Sequence, residues 1–149
     1  MKVIVLYSSK SGNTKKIADE IASELNCVLF KLTSGDSIPK IDLDNYDLIF
    51  IGTGIHFGNH NEDIVGYFKM ADLKKPKAIA LFITWGGAGK TIKDVCVKLK
   101  ALLESRGQRV FDDHFVCFGG WNFLRRGHQN DEDAKAARKW ARKIVNDIR

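Results

Sequence analysis

The stretch Val3-Ile4-Val5-Leu6-Tyr7-Ser8-Ser9-Lys10-Ser11-Gly12-Asn13-Thr14 passes from an apolar run into small hydroxyl residues and a glycine. Ile17, Ala18 and Ile21 follow at helical spacing, so this turn joins a strand to a helix. The first backbone N–H groups of a helix have no partners within it, and the helix dipole adds partial positive charge there. The hydroxyls of Ser9, Ser11 and Thr14 can donate further hydrogen bonds, and Gly12 allows close approach to the backbone. Such a turn is composed as an oxyanion cradle, suited to the three terminal oxygens of a phosphate monoester. The plainer alternative is a βα turn in which Asn13 or Thr14 only caps the helix.

Beyond this turn the chain alternates short apolar runs with helical patterns. The runs are residues 2–7, 28–32, 47–52, 78–84 and 110–118, several of them apolar on both sides of the pleat. The helical segments are 14–25, 62–70, 91–105 and 131–148. The last is the clearest, with Ala137, Trp140, Ala141, Ile144, Val145 and Ile148 spaced by three and four. The third ends before Gly107, the residue expected at a helix C-terminus. Between the second and third strands, residues 33–46 have room for a single helical turn. Strands buried on both faces and alternating with helices predict an α/β fold, a doubly wound parallel sheet in a three-layer sandwich.

Bulk properties set the class. A chain of 149 residues, 44% hydrophobic and 28% charged, is expected to form one globular domain spanning 1–149. Cys27, Cys96 and Cys117 are odd in number and sit in apolar runs, so they read as reduced packing residues rather than disulfide or metal ligands. No apolar run approaches the length of a membrane span, and the N-terminus begins a strand rather than a signal peptide, so a cytoplasmic protein is expected. The net charge of +6 is uneven: residues 1–68 hold 6 Lys/Arg against 9 Asp/Glu, and residues 69–149 hold 18 against 9. The usual meaning of such a bias is solubility and a solvated helix face. Its sharper meaning is attraction to acidic partners. Nucleic acid is not expected, because no run of interleaved aromatic and basic residues accompanies the charge.

In a doubly wound sheet, ligands bind beyond the carboxyl ends of the strands, where the strand order reverses. The segments after the first, third and fourth strands should therefore meet. The second of them reads Gly52-Thr53-Gly54-Ile55-His56-Phe57-Gly58-Asn59-His60, and the third reads Thr84-Trp85-Gly86-Gly87-Ala88-Gly89-Lys90. Glycines let backbone amides approach a flat ligand edge-on, while Phe57 and Trp85 offer rings to cover its face. The plainer alternative is that both aromatics are hydrophobic lids on the end of the sheet.

With these residues in view, the chain resembles the short-chain flavodoxin family over nearly its whole length. The sharpest match is Ser9-x-Ser11-Gly12-x-Thr14, which is similar to the family's hydroxyl-x-hydroxyl-Gly-x-Thr phosphate loop, and Asp44-x-Tyr46-Asp47 resembles the approach to its third strand. The resemblance implies a five-stranded sheet in the order 2-1-3-4-5 with helices on both faces. It also implies FMN as cofactor. Ser9, Lys10, Ser11, Gly12, Asn13 and Thr14 would hold its phosphate. Thr53, Gly54, Ile55, His56, Phe57 and Gly58, with Thr84, Trp85, Gly86, Gly87, Ala88 and Gly89, would flank its ring.

The implied role is electron transfer between redox partner proteins, those with acidic docking surfaces suiting this basic chain. Its runner-up is an FMN-dependent reductase or oxidase of a flat molecule such as a quinone or porphyrin precursor. A third alternative is a flavodoxin-like module that binds acidic partners and no flavin. The chain departs from the family in its aromatics, since flavodoxins usually carry a Trp on the first ring-flanking loop and a Tyr on the second. It departs also in charge: flavodoxins are typically acidic, whereas Lys10, His56, His60 and Lys90 lie in or beside these loops.

Several lookalikes fail on spacing. Gly89-Lys90-Thr91 imitates the end of a Walker A loop but has Thr84 where the first Gly belongs. Gly52-x-Gly54-x-x-x-Gly58 is one residue too long for a dinucleotide fingerprint. His114 is expected to be a packed residue inside the last strand. His56 and His60 have no Cys or carboxylate at ligand spacing, so no metal is expected. The segment 119–128, with Trp121, Phe123, Arg125 and Arg126, could wall the site, dock a partner or cover the sheet edge.

Overall fold

The computed structural model describes residues 1–33, 40–56, 59–60, 62–71, 73–86, 91–119 and 130–149, with the backbone alone at 56, 59 and 60. Strand β1 (Val3–Ser8) leads into helix α1 (Asn13–Leu25) and strand β2 (Val28–Lys31). A 3-10 turn (Leu43–Asn45) lies in the described part of the link between β2 and the next strand, its start held by Asp42, whose side chain accepts from the Asp44 N–H. Strand β3 (Leu48–His56), the two-residue strand β4 (Asn59–His60) and helix α2 (Glu62–Met70) follow. Strand β5 (Ala78–Trp85), helix α3 (Thr91–Ser105), strands β6 (Arg109–Val110) and β7 (Phe115–Phe118), and helix α4 (Asp131–Ile148) complete the chain. None of the described helices is long and apolar enough to cross a membrane.

The main sheet is parallel and runs β2-β1-β3-β5, with β6 and β7 sharing the outer edge of β5. This is the doubly wound order 2-1-3-4-5 once β6 and β7 are counted as one interrupted strand. Alternation along each strand sends side chains to two cores. Val5, Tyr7, Phe50 and Phe82 pack against α1 and α4 through Ile17, Ile21, Trp140 and Ile144. Ile4, Leu6, Ile49, Ile51 and Leu81 pack against α2 and α3 through Ile64, Phe68, Leu99 and Leu103. Helix C-termini close as their residues dictate: Gly107 takes φ +79 after α3, and Asn26 takes φ +46 after α1.

Two strand expectations need correction. The third strand continues four residues past Gly52, because Thr53 and Gly54 stay in register with Ile83 and Thr84 of β5, and Ile55 and His56 pair antiparallel with β4. Thr53 and Gly54 therefore belong to the sheet rather than to a loop, as Gly52 does. A Cβ on Gly52 would sit 2.1 Å from the buried ring of Phe82, so the glycine makes room for its neighbour. The fifth strand is broken. Arg109 pairs with Ala78, an offset of 31, while Phe115 pairs with Phe82, an offset of 33, so two extra residues bulge between the halves. The bulge holds Asp112, paired with Lys100 of α3, and Asp113, paired with Lys143 of α4. His114 lies in this interruption rather than inside a strand.

Candidate functional site

Chain crossovers leave β1 toward β2 on one side, while β3 lies on its other side, so the topological switch point falls between β1 and β3. At their carboxyl ends Ser8 pairs with Thr53, and Gly54 pairs with Thr84. Ser8, Thr53 and Thr84 are buried. Each hydroxyl is engaged: Ser8 Oγ donates to Asp63 Oδ2 at 3.0 Å, and Thr53 Oγ1 donates to the Gly54 carbonyl at 3.0 Å. Thr84 Oγ1 lies 2.8 Å from Thr14 Oγ1. Together they form a polar floor at the end of an otherwise apolar sheet.

The loop after β1 folds on itself. Ser9 Oγ accepts the Gly12 N–H at 3.0 Å, and Ser11 Oγ accepts Asn13 Nδ2 at 3.1 Å. In these bonds both serines act as acceptors, so the O–H of each is not spent in them. Gly12 occupies the N-cap position of α1 at φ +87 and makes no side-chain cap, and a Cβ added there would meet nothing within 4 Å. Neither Asn13 nor Thr14 is the N-cap residue. The same chain caps α4 in full, Asn130 and Asp133 each accepting the other's backbone N–H at 3.0 Å. A left-handed glycine opening onto a helix start is a geometry that gathers N–H groups around an anion. Thr14 is 1% exposed. With Thr84 donating to it, Thr14 can still donate to a third oxygen.

The other two segments are only partly described. Thr53, Gly54, Ile55 and His56 extend β3, and Phe57 and Gly58 lie outside the described residues. The Ile55 side chain packs against Ile83, Val95 and Cys96, so it serves the core and leaves only its backbone to a ligand. Thr84 and Trp85 end β5; Gly86 follows half-buried, and Gly87, Ala88, Gly89 and Lys90 lie outside the described residues. The Trp85 ring stacks on Phe118 with centroids 6.2 Å apart. Of the segment 119–128, Gly119 alone is described. Its N–H donates to the Trp85 carbonyl at 2.9 Å, and a Cβ there would fall 2.6 Å from Asn13 Nδ2. The exit of β7 is thereby seated against the start of α1.

Electrostatics around the fold are mostly local. Arg138 pairs with Glu20 and Arg142 with Glu24, joining α4 to α1 across the helical layer. Lys143 lies 3.5 Å from Asp147, and Lys100 lies 3.7 Å from Glu104. Part of the basic excess of residues 69–149 is thus a solvated, paired surface. Burial pushes the Cys27 thiol up to about 11 and raises Cys96 as well, so neither is an activated thiol. No cluster of three or more metal-ligating side chains occurs among the described residues. Asp63 was not foreseen: 55 positions separate it from Ser8, and its place in the first turn of the helix at 62–70 was the available signal.

Comparison with known proteins places this geometry among relatives. A family model described as a flavodoxin domain matches residues 4–125. An uncharacterized protein of Methanocaldococcus jannaschii is 32% identical, the match covering 97% of this chain and 99% of that protein. The flavodoxin-like domain-containing protein BilS of Clostridioides difficile is 38% identical over 80% of this chain and 66% of its own length. Protoporphyrinogen IX dehydrogenase (quinone) of Escherichia coli is 30% identical over 46% of this chain and 39% of its own. Among solved structures, a flavodoxin from the domain Archaea superposes with a TM-score of 0.77 at 18% identity, covering 99% of both chains. A flavoprotein from Lactobacillus acidophilus in complex with FMN gives 0.61 at 22% identity, covering 78% of this chain and 92% of that one.

Proposed function

Because this chain belongs to the flavodoxin family, we propose that it binds FMN and passes electrons between redox partner proteins. The observation that carries this reading is the loop at the end of β1. It combines the left-handed Gly12 at a helix start that no side chain caps with two serine hydroxyls used there only as acceptors. Those groups fit a phosphate monoester. The fold neighbour from Lactobacillus acidophilus described in complex with FMN supports the same cofactor. When bound, FMN supplies reversible one- and two-electron transfer.

The residues of this chain then hold and orient the cofactor. Ser9, Ser11 and Thr14 donate hydroxyls to the phosphate, while Gly12, Asn13 and the first turn of α1 supply backbone N–H groups. Lys10, exposed in that loop, adds positive charge beside it. The backbone of Thr53, Gly54, Ile55 and His56 and the Trp85–Gly86 end of β5 approach the ring edge. The thiols of Cys27 and Cys96 are free, which supports a reducing, cytoplasmic setting. The partners proposed are redox proteins, those with acidic docking surfaces fitting the charge of +6.

A second reading is an enzyme that oxidises or reduces a flat substrate, supported by the partial likeness to protoporphyrinogen IX dehydrogenase. Steady-state turnover of protoporphyrinogen or quinones by the FMN-loaded protein favours this reading, and its absence favours the carrier. The phosphate loop is tested by Ser11→Ala and Thr14→Val. Each is expected to weaken FMN binding by about tenfold or more while leaving riboflavin binding unchanged. Thr14→Val also strands the buried Thr84 hydroxyl, so Thr14→Val/Thr84→Val separates lost phosphate contact from lost stability. Unchanged FMN affinity in these variants rejects the loop as the cradle.

A further inference from the structure

The hydrogen bond from Ser8 to Asp63 adds a side-chain tie between two parts of the site that the pairing of β1 with β3 already brings side by side. Ser8 is the last residue of β1, 1% exposed, and the next residue opens the loop at 9–14. Asp63 stands in the first turn of α2, three residues after the end of β4. Between β3 and α2 the strands form a hairpin whose ladder, among the described residues, has two pairs, Ile55 with His60 and His56 with Asn59. So short a ladder is marginal on its own: the packing of Ile55 holds its incoming arm, and a tie on the outgoing arm adds a second anchor.

Two forces place Asp63 as that anchor. A carboxylate in the first turn of α2 is favoured by the helix dipole, and a charged acceptor strengthens the bond from the buried serine. The main chain of Ser8 pairs with Thr53 while its side chain holds Asp63, so the incoming and outgoing arms of the hairpin are both fixed to the end of β1. We infer that Asp63 is a positioning residue of the cofactor site, setting the hairpin that flanks the ring at a fixed distance from the loop that holds the phosphate. This rests on the FMN reading for its ligand, though the clasp itself is a property of the polypeptide.

The role separates from that of the phosphate loop by what is lost. Removing the clasp loosens contact with the ring, which FMN and riboflavin share, and leaves the phosphate contacts in place. Asp63→Ala and Ser8→Ala are therefore expected to weaken FMN and riboflavin by the same factor, about tenfold, so that the ratio of the two affinities stays as in the parent. Asp63→Asn keeps an acceptor oxygen and should restore most of that loss, which a general packing defect would not allow. Amide hydrogen exchange gives a readout that needs no flavin. In Asp63→Ala the amides of 55, 56, 59 and 60 should exchange at least about tenfold faster, with those of β1 and β5 unchanged.

Parent-like exchange in the hairpin, or exchange that rises equally throughout the sheet, overturns the clasp. An affinity ratio that shifts against FMN alone also overturns it, since the bond would then serve the phosphate loop. A parent protein that binds no flavin rejects the FMN reading and with it the assignment to a cofactor site, while the exchange data still decide whether Asp63 holds the hairpin.

Discussion

A methyl group at residue 52 has nowhere to go: the ring of Phe82 lies 2.1 Å from where its carbon would be, and that ring is fully buried. Gly52→Ala is therefore expected to destabilise the fold by about 1–3 kcal/mol, read as a lower urea midpoint at unchanged slope. The prediction separates two uses of glycine that look alike in the sequence. Gly12 stands in open space at φ +87 in the turn proposed to hold the phosphate, whereas Gly52 serves packing inside the sheet. The same ambiguity surrounds the hydroxyls. Thr14 reads as a phosphate donor, yet it also meets Thr84 at 2.8 Å, a contact across 70 positions that no local pattern reports. Residue types thus suggested where to look for a site, while the partners of those residues came from the sheet register.

Among the elements, helices 62–70, 91–105 and 131–148 were legible to their ends, since their apolar spacing and Gly107 act locally; the Asn130–Asp133 cap was a further local sign left unread. The strands were less so. Glycines at 52 and 54 argued for a loop, but pairing with β1, β5 and β4 carried β3 on to His56. Asp112 and Asp113, poor strand formers, were the overlooked sign that the fifth strand breaks. The break leaves His114 half-buried with Nδ1 unpartnered among the described residues. Burial and the nearby Lys100 hold its pKa below the ordinary 6.5, against a smaller opposing pull from Asp112 and Asp113. The unfolded chain therefore takes up a proton that the folded chain resists. The corresponding stability is complete above the unfolded pKa and is lost as pH falls toward the folded one. The Tm of the parent should drop more steeply between pH 7 and pH 5 than that of His114→Gln; parallel curves would contradict the assignment.

For the whole molecule, the parallel sheet and its switch point decide where ligand chemistry can occur, and charge decides how a bound flavin behaves. A flavin reduced to its anion is destabilised by surrounding carboxylates and stabilised by cations. Asp63 brings one carboxylate to the end of β1, while Lys10 lies in the loop after it, and the sequence sets His56, His60 and Lys90 in the segments after the third and fourth predicted strands. The FMN-loaded protein is accordingly expected to take its last electron at a less negative potential than acidic flavodoxins do, each 1.4 kcal/mol being about tenfold in that equilibrium. A spectroelectrochemical titration as negative as theirs would contradict this. The central claim is more basic, that the turn after β1 holds the phosphate of FMN. Titration of the flavin-free protein with FMN and with riboflavin tests it most directly. FMN is predicted to bind at least about a hundredfold more tightly, the surplus being the phosphate contacts. Equal affinity for the two flavins, or no binding of either, would contradict the account.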